Sequence, residues 1–161
     1  MIRVLLVAVA VAVVLAPIAA QAQTLTVTNA AGKVTTFTAE TLAALPRAKA
    51  SLRRGGKAVV YEGVTLAVIL REAGVPQGPR LHGKPLSTTV LVQGADGYRA
   101  AFGLAETDPS VRAAAIVLAD RKAGGPLAEG EGPWRLVVDA DQRPERAVKG
   151  VVAIEVVPAA D

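Results

Sequence analysis

The chain has 161 residues, of which 52% are hydrophobic, 3% aromatic and 20% charged, with a formal net charge of +4 and no cysteine. This composition excludes a collagen-like chain, a disordered tail, a coiled coil and a disulfide-stabilised scaffold. Without cysteine the chain also has no zinc ribbon, iron–sulfur cluster or thiol nucleophile, and its single histidine excludes a multi-histidine metal site. The composition therefore predicts a globular protein whose core forms without covalent cross-links.

The first residues have the order of a secretory signal peptide. Arg3 supplies a positive charge, residues 4–16 form an unbroken apolar run, and residues 20–22 are a small-x-small cleavage site. The run is shorter than the roughly 20 residues that cross a bilayer as a helix; an uncleaved membrane anchor is the alternative. We predict a signal peptide over 1–22, a single domain over 23–161, and a periplasmic or secreted location without stable membrane insertion after cleavage.

The charges of the remaining chain are scattered, and both signs alternate without a long basic run. Such a balance argues against nucleic acid and membrane surfaces as partners. The most basic stretch, residues 47–57, contains two adjacent arginines followed by two glycines. This composition is typical of a solvated loop, with a ligand-contacting loop as the alternative.

The first part of the chain predicts a hairpin, a helix, a strand and a second helix. Apolar and polar residues alternate over 24–37 on both sides of a turn, which predicts an opening β-hairpin. Thr38 is placed to cap a short helix that Pro46 ends. A short strand over 58–61 then leads through a glycine into a helix over 64–73.

The second part predicts strands joined by short polar connections. These strands lie at residues 88–93, 98–102, 113–119, 134–138 and 151–157. Many short strands, a few short helices and hairpin turns predict an α+β fold with β-rich mixed sheets. A doubly wound parallel sheet would need a regular alternation of strands and helices, which the sequence lacks.

Residue types alone reveal no catalytic motif. The only histidine, His82, has no nucleophile motif around it, which is typical of a loop residue rather than of a catalytic triad. The acidic pairs Glu129/Glu131 and Asp139/Asp141 lie in segments rich in turn residues. Two carboxylates in such a loop are not held on a common axis, as general acid–base catalysis would require. We therefore predict that these four carboxylates are surface charges.

Two groups of residues point to binding. Tyr98 directly follows a tight turn, a position typical of a pocket mouth; packing against a neighbour in the hairpin is the alternative. Arg135, Arg146 and Lys149 flank the last two predicted strands, so the three cations can converge on an anion such as a phosphate. Cations that extend into solvent are the alternative for this second group.

Several segments, in order, resemble the oxidoreductase molybdopterin-binding domain of sulfite oxidases and related molybdenum enzymes. Residues 132–138 are similar to the family pattern Pro-x-Arg followed by three aliphatic residues, and residues 146–149 to its Arg-x-Val-Lys stretch. Further similar segments are Tyr61–Leu66, Ala73–Gly74, Asp96–Tyr98, Leu118–Ala119 and Gly125–Leu127. The order and spacing of the segments carry the resemblance, which covers roughly residues 59–157.

The resemblance implies a sulfite oxidase-like molybdopterin-binding fold. In the family, the arginine and lysine of the Arg-x-Val-Lys stretch help to hold the pterin and its phosphate, and these correspond to Arg146 and Lys149. Arg135 matches another arginine of the pattern, and either a ligand-facing or a loop-supporting role is open for it. With Tyr98 at the predicted pocket mouth, these are the candidate residues for binding molybdopterin.

The chain departs from the family at the metal ligand. Family enzymes bind molybdenum through a cysteine that precedes the strand–helix step, a region that corresponds to residues 51–61, and this chain has no cysteine. We therefore predict a degenerate exported member that acts as a pterin- or anion-binding or interaction module without standard molybdenum catalysis. Its predicted partners are a pterin or other anionic small molecule, or an exported protein. The alternative is an active molybdopterin-dependent oxidoreductase that binds its cofactor without a cysteine ligand.

Overall fold

The structure, a computed structural model, describes residues 23–159, so the predicted signal peptide lies outside the described residues. The strands are β1 (Leu25–Thr28), β2 (Val34–Phe37), β3 (Arg47–Arg54), β4 (Lys57–Thr65), β5 (Thr89–Gly94), β6 (Arg99–Gly103), β7 (Ile116–Lys122), β8 (Gly125–Pro126), β9 (Arg135–Val138) and β10 (Val151–Val157). The helices are α1 (Ala39–Ala43), α2 (Leu66–Glu72) and α3 (Leu104–Thr107), with 3₁₀ turns at Gly78–Arg80, Lys84–Ser87 and Pro144–Arg146. Each helix in this part of the chain is too short to cross a membrane.

The strands form two sheets, the first mixed and the second antiparallel throughout. The first sheet has the order β2-β1-β10-β5-β6, in which β1 and β10 pair in parallel and the other neighbours pair antiparallel. The second sheet has the order β3-β4-β7-β8, and β9 also pairs with β7. This β-rich α+β architecture confirms the predicted fold class.

The centre of the second sheet, at β7, is buried on both faces, because a separate hydrophobic cluster covers each face there. On β7, Ile116 and Leu118 belong to the main cluster, which also contains the apolar face of α2. The alternate residues Val117 and Ala119 belong to a smaller cluster between β3, β4 and β9. This period-2 alternation explains why the centre of the strand reads as a continuous apolar run.

The first elements of the described residues, from Leu25 to Ala43, fold as predicted. Strands β1 and β2 form the opening hairpin, with Leu25 opposite Phe37. The Thr38 hydroxyl accepts a hydrogen bond from the Thr41 backbone N–H at 3.2 Å, and the Thr41 hydroxyl accepts one from the Thr38 backbone N–H at 2.8 Å. This reciprocal capping satisfies two backbone donors at the start of α1.

The prediction of a basic loop over residues 47–57 is wrong, because this stretch forms β3 and the turn into β4. Its cations alternate with small and apolar residues, a pattern that suits a strand with one solvated face. Ala50 and Leu52 are buried in the smaller cluster, whereas Lys49 and Arg53 on the other face are exposed. The high cation content concealed this alternation.

Candidate functional site

Tyr98 and Lys149 line the same open cavity, which has a volume of about 290 Å³. The turn between β5 and β6 forms one wall, and the segment that precedes β10 forms the other. In the turn, the carboxylate Oδ1 of Asp96 accepts a hydrogen bond from the Tyr98 backbone N–H at 2.9 Å, and Gly97 adopts a φ of 82°. These features fix the direction in which the chain leaves the turn, and hence the position of the tyrosine.

The Tyr98 ring is held in place although about half of it is exposed. Its hydroxyl donates a hydrogen bond of 2.6 Å to the backbone carbonyl of Glu145 on the opposite wall, and the residue is 49% exposed. An exposed aromatic side chain that is already anchored loses little conformational entropy when a ligand covers it. The predicted pocket-mouth position is therefore observed, and the binding role of Tyr98 stays a prediction.

Lys149 supplies the positive charge of this cavity. Its side chain is exposed, and no described residue forms a hydrogen bond or an ion pair with its ammonium group. The backbone of this segment is closely packed: a Cβ built on Gly94 would lie 2.6 Å from the Lys149 carbonyl oxygen. The cavity thus contains a free cation on a fixed backbone.

Arg146, by contrast, is bound to carboxylates of the protein itself. Its Nε and Nη2 donate to the two carboxylate oxygens of Asp141 at 2.9 and 2.8 Å, and its Nη1 donates to Glu106 at 3.0 Å. The guanidinium also lies 5.0 Å from the centroid of the Phe102 ring. The hydrogen bond with Asp141, which outweighs partial burial, raises the pKa of Arg146 above its ordinary value. Its charge is therefore already neutralised.

Arg135 is buried and forms an ion pair with Glu131. Its Nη1 also lies 3.4 Å from the Tyr61 hydroxyl, and its guanidinium is 5.4 Å from the centroid of that ring. Lys122 donates to Glu131 at 3.2 Å from the other side. We call these four residues the Glu131 cluster. Arg135 therefore contacts the loop that carries Glu131, and a ligand-binding role for it stays a prediction.

Glu131 corrects one sequence-based prediction. Glu129 is a surface charge as expected, but Glu131 is buried, with 8% of the residue exposed. Burial alone would raise the pKa of Glu131, but the hydrogen bond from Lys122 and the charges of Arg135 and Lys122 lower it below the ordinary glutamate value. The sequence showed no signal for this cluster, because the pairing of β4 with β7 places Tyr61 opposite Lys122.

The second acidic pair also has structural partners. A carboxylate oxygen of Asp139 accepts a hydrogen bond from the Ser51 backbone N–H at 3.0 Å, which ties the edge strand β3 to the end of β9. Asp141 pairs with Arg146, as described above. Both carboxylates are partly exposed, but neither is free: Asp139 binds Ser51, 88 positions away in the sequence, and Asp141 binds Arg146, five positions away.

The three predicted cations do not meet at one place. Only Lys149 lines the cavity at Tyr98, whereas Arg146 and Arg135 each bind internal carboxylates. Within residues 23–159, no group of three or more histidine or acidic side chains is arranged to hold a metal ion. The positions that correspond to the family's cysteine region lie on β3 and β4, and the chain has no thiolate. The residues in this region therefore cannot bind molybdenum through a cysteine sulfur atom, as the family enzymes do.

Comparison with known proteins shows the fold. No protein-family model and no curated protein matches the chain. Among solved structures, the chain is similar to the sulfane dehydrogenase SoxCD from Paracoccus pantotrophus, with a TM-score of 0.65 and 22% sequence identity over 86% of this chain. The chain spans 39% of the length of that protein chain. This similarity confirms the predicted sulfite oxidase-like fold.

Proposed function

We propose that this protein is an exported, non-catalytic module that binds a pterin or a related anionic ring compound in the cavity at Tyr98 and Lys149. The observation that carries the proposal is the combination of an anchored, half-exposed aromatic ring with an unpaired ammonium group in one cavity. Its volume of about 290 Å³ is close to the lower end of ligand pockets, roughly 300 Å³, which suits a single bicyclic ring.

The chemistry of a pterin matches the lining of this cavity. The flat ring can stack on the exposed face of Tyr98, while Lys149 donates to the ring carbonyl or to an anionic substituent. The amino-pyrimidinone edge carries two adjacent N–H donors, which a carboxylate can accept as a pair. Asp96 and Glu145 line the cavity and supply such carboxylates. Because the lining carries the carboxylates of Asp96 and Glu145 and the one ammonium group of Lys149, it favours a ligand that donates N–H groups on one edge and places a single negative charge at Lys149 on another.

The same contacts argue against standard molybdenum catalysis. A soft thiolate both anchors the metal and tunes its chemistry, and the sequence contains no residue of that type. Arg146 is the other cation that the resemblance assigns to the cofactor, and for Arg135 it leaves the role open. Binding the phosphate of the cofactor would require either arginine to leave an internal carboxylate. The structural neighbour is named a sulfane dehydrogenase and its chain is far longer, so its activity does not enter this proposal.

A fluorescence titration tests the proposal, with pterin-6-carboxylate as the probe. Tyr98→Ala and Lys149→Ala should each weaken binding by about tenfold, since each removes a contact worth about 1.5 kcal/mol. Arg80→Ala removes an exposed cation that does not line the cavity and is the matched control. Absence of binding, or equal affinities for all three variants, would overturn the proposal.

Elemental analysis separates this proposal from an active molybdoenzyme. Protein purified from a molybdenum-replete host should contain no more than about a tenth of an equivalent of molybdenum, because no side-chain sulfur holds the metal. Near-stoichiometric molybdenum together with an oxidised pterin would establish the enzyme alternative. Expression of the complete gene followed by N-terminal sequencing tests the export: the mature chain should begin at Gln23.

A further inference from the structure

We propose that the solvent-facing side of β3, β4 and the end of β7 is a docking surface for an acidic segment of a partner protein. The residues that define this basic face are Lys49, Arg53, Val60 and Arg121. None of them lines the cavity at Tyr98 and Lys149, so the proposal is independent of the proposed function.

Strand register places these residues on one face. In the β3–β4 pair, Ser51 lies opposite Val60, so Lys49 and Arg53, two positions before and after Ser51, point to the same side as Val60. In the β4–β7 pair, Arg121 lies opposite Glu62, two positions after Val60. The exposure of all four residues agrees with this register, because the alternate residues of β3 are buried in the smaller cluster.

The cations of the basic face are unpaired. No described carboxylate pairs with Lys49 or Arg53, and the one hydrogen bond of Arg121 is a long one, 3.4 Å, to a backbone carbonyl. The nearby acidic groups are instead bound by Arg47, which donates to Asp120 and lies 3.8 Å from Glu62. The internal ion pairs of this sheet therefore leave an excess of positive charge on its outer face.

The geometry fits an extended acidic protein segment. Residues four apart on a strand are about 13 Å apart, and strands two places apart in a sheet are separated by about 10 Å, so the three cations form a triangle. Val60 lies on the side of this triangle that joins Arg53 and Arg121, and Glu62 lies between Lys49 and Arg121. Val60 is 45% exposed and offers a small apolar contact. A membrane surface would favour aromatic and larger apolar side chains, which this face lacks, and nucleic acid would favour a longer track of cations.

Binding of a labelled ten-residue peptide, rich in glutamate with one central leucine, tests this surface. The double variant Arg53→Glu/Arg121→Glu should weaken binding by about tenfold or more, because two attractive charges become repulsive. The control Lys33→Glu/Arg80→Glu changes the net charge equally at two exposed cations elsewhere, and should alter the affinity less than about twofold. Raising NaCl from about 50 to about 300 mM should weaken binding to the unmodified protein, because salt screens the attraction.

Two results would overturn the proposal. Equal losses in the two double variants would show attraction to net charge without a specific surface. Binding to phosphatidylglycerol vesicles or to duplex DNA at least as tight as to the peptide, and with the same response to the variants, would assign the face to a different partner class. The neutral variant Arg53→Gln/Arg121→Gln, checked by circular dichroism, keeps the test valid if the charge reversal impairs folding; it should lose binding to a smaller degree.

Discussion

The Glu131 cluster and the cavity at Tyr98 and Lys149 place similar side chains in opposite situations. Each region has a tyrosine, a carboxylate and at least one cation. In the cluster, Tyr61 and Arg135 are buried and every charge has a partner. In the cavity, the tyrosine is half exposed and the ammonium group of Lys149 is free.

The difference shows that contact with an internal carboxylate decides whether a cation in this fold is available to a ligand. Arg135 forms an ion pair with Glu131, whereas Lys149 has no such partner among the described residues. Arg135 and Lys149 both belong to the C-terminal third of the sequence, which carries the resemblance to the cofactor-binding motif, yet only Lys149 remains free to bind a ligand. The two regions are also joined, because the Gly150 backbone N–H donates to the Glu131 carbonyl at 3.1 Å. Disruption of the buried cluster should therefore reach the backbone beside the cavity.

The largest expected effect comes from Glu131→Gln, which leaves Arg135 buried without a counter-charge. Loss of one partner from a buried ion pair destabilises a protein by about 3–5 kcal/mol, since the remaining charge is desolvated and uncompensated. Urea unfolding of the purified variant measures this difference. Glu129→Gln, an exposed position in the same loop, is the control and should change the stability by less than about 0.5 kcal/mol. Similar stabilities for both variants would show that the cluster contributes nothing to the fold.

Gly94→Ala tests the backbone beneath the cavity. The added Cβ would lie 2.6 Å from the Lys149 carbonyl oxygen, so the two segments must move apart, at a cost of about 1–3 kcal/mol. We also expect weaker pterin binding, because the movement shifts Lys149 relative to Tyr98. Gly103→Ala is the control, since nothing lies within 4 Å of its added Cβ. Unchanged stability and binding in Gly94→Ala would contradict the close approach of these segments.

The pH dependence of the free energy of unfolding should reveal the contribution of the buried Glu131 carboxylate. The folded protein holds the pKa of Glu131 below its ordinary value of 4.5, so the carboxylate stabilises the fold fully above that value and loses its contribution as the pH falls through the folded-state pKa. The stability gap between the unmodified protein and Glu131→Gln should therefore close on acidification, because a protonated glutamate resembles glutamine. Urea unfolding at a series of pH values between about 7 and 3 measures this. A constant gap would contradict the lowered pKa.

The sequence predicted the fold class well, because the signals for it are local. Residues 151–157 were predicted as the last strand and form β10, and Thr38 caps its helix as expected. The hairpin turn before Tyr98 was equally local, but the motif left open whether the tyrosine lies at a pocket mouth or packs against a neighbour. Resemblance to the molybdopterin-binding family added the overall topology, which the structural comparison confirms at the level of the fold.

The partners of the charged residues were not predictable, because they depend on strand register over long sequence separations. Asp139 binds Ser51 through a contact between β3 and the end of β9, and Arg146 binds Glu106 from α3. A local pattern cannot show which carboxylate will lie near which cation. Residues 47–57 looked like a solvated loop for the same reason. Their cations are visible in the local sequence, whereas the apolar cluster beneath this strand also contains residues that are distant in the sequence.

Asp141→Asn should have the smallest effect on stability, and it sharpens the comparison between buried and exposed ion pairs. Asp141 and Arg146 have side chains that are 17% and 37% exposed, so water and salt already screen their attraction. We expect a loss of about 1 kcal/mol or less, since Arg146 keeps its contact with Glu106. In about 1 M NaCl this loss should shrink further, because the screening length falls to about 3 Å, whereas the loss caused by Glu131→Gln should persist. Equal salt sensitivity of the two variants, measured by urea unfolding, would show that burial is not what distinguishes the two pairs.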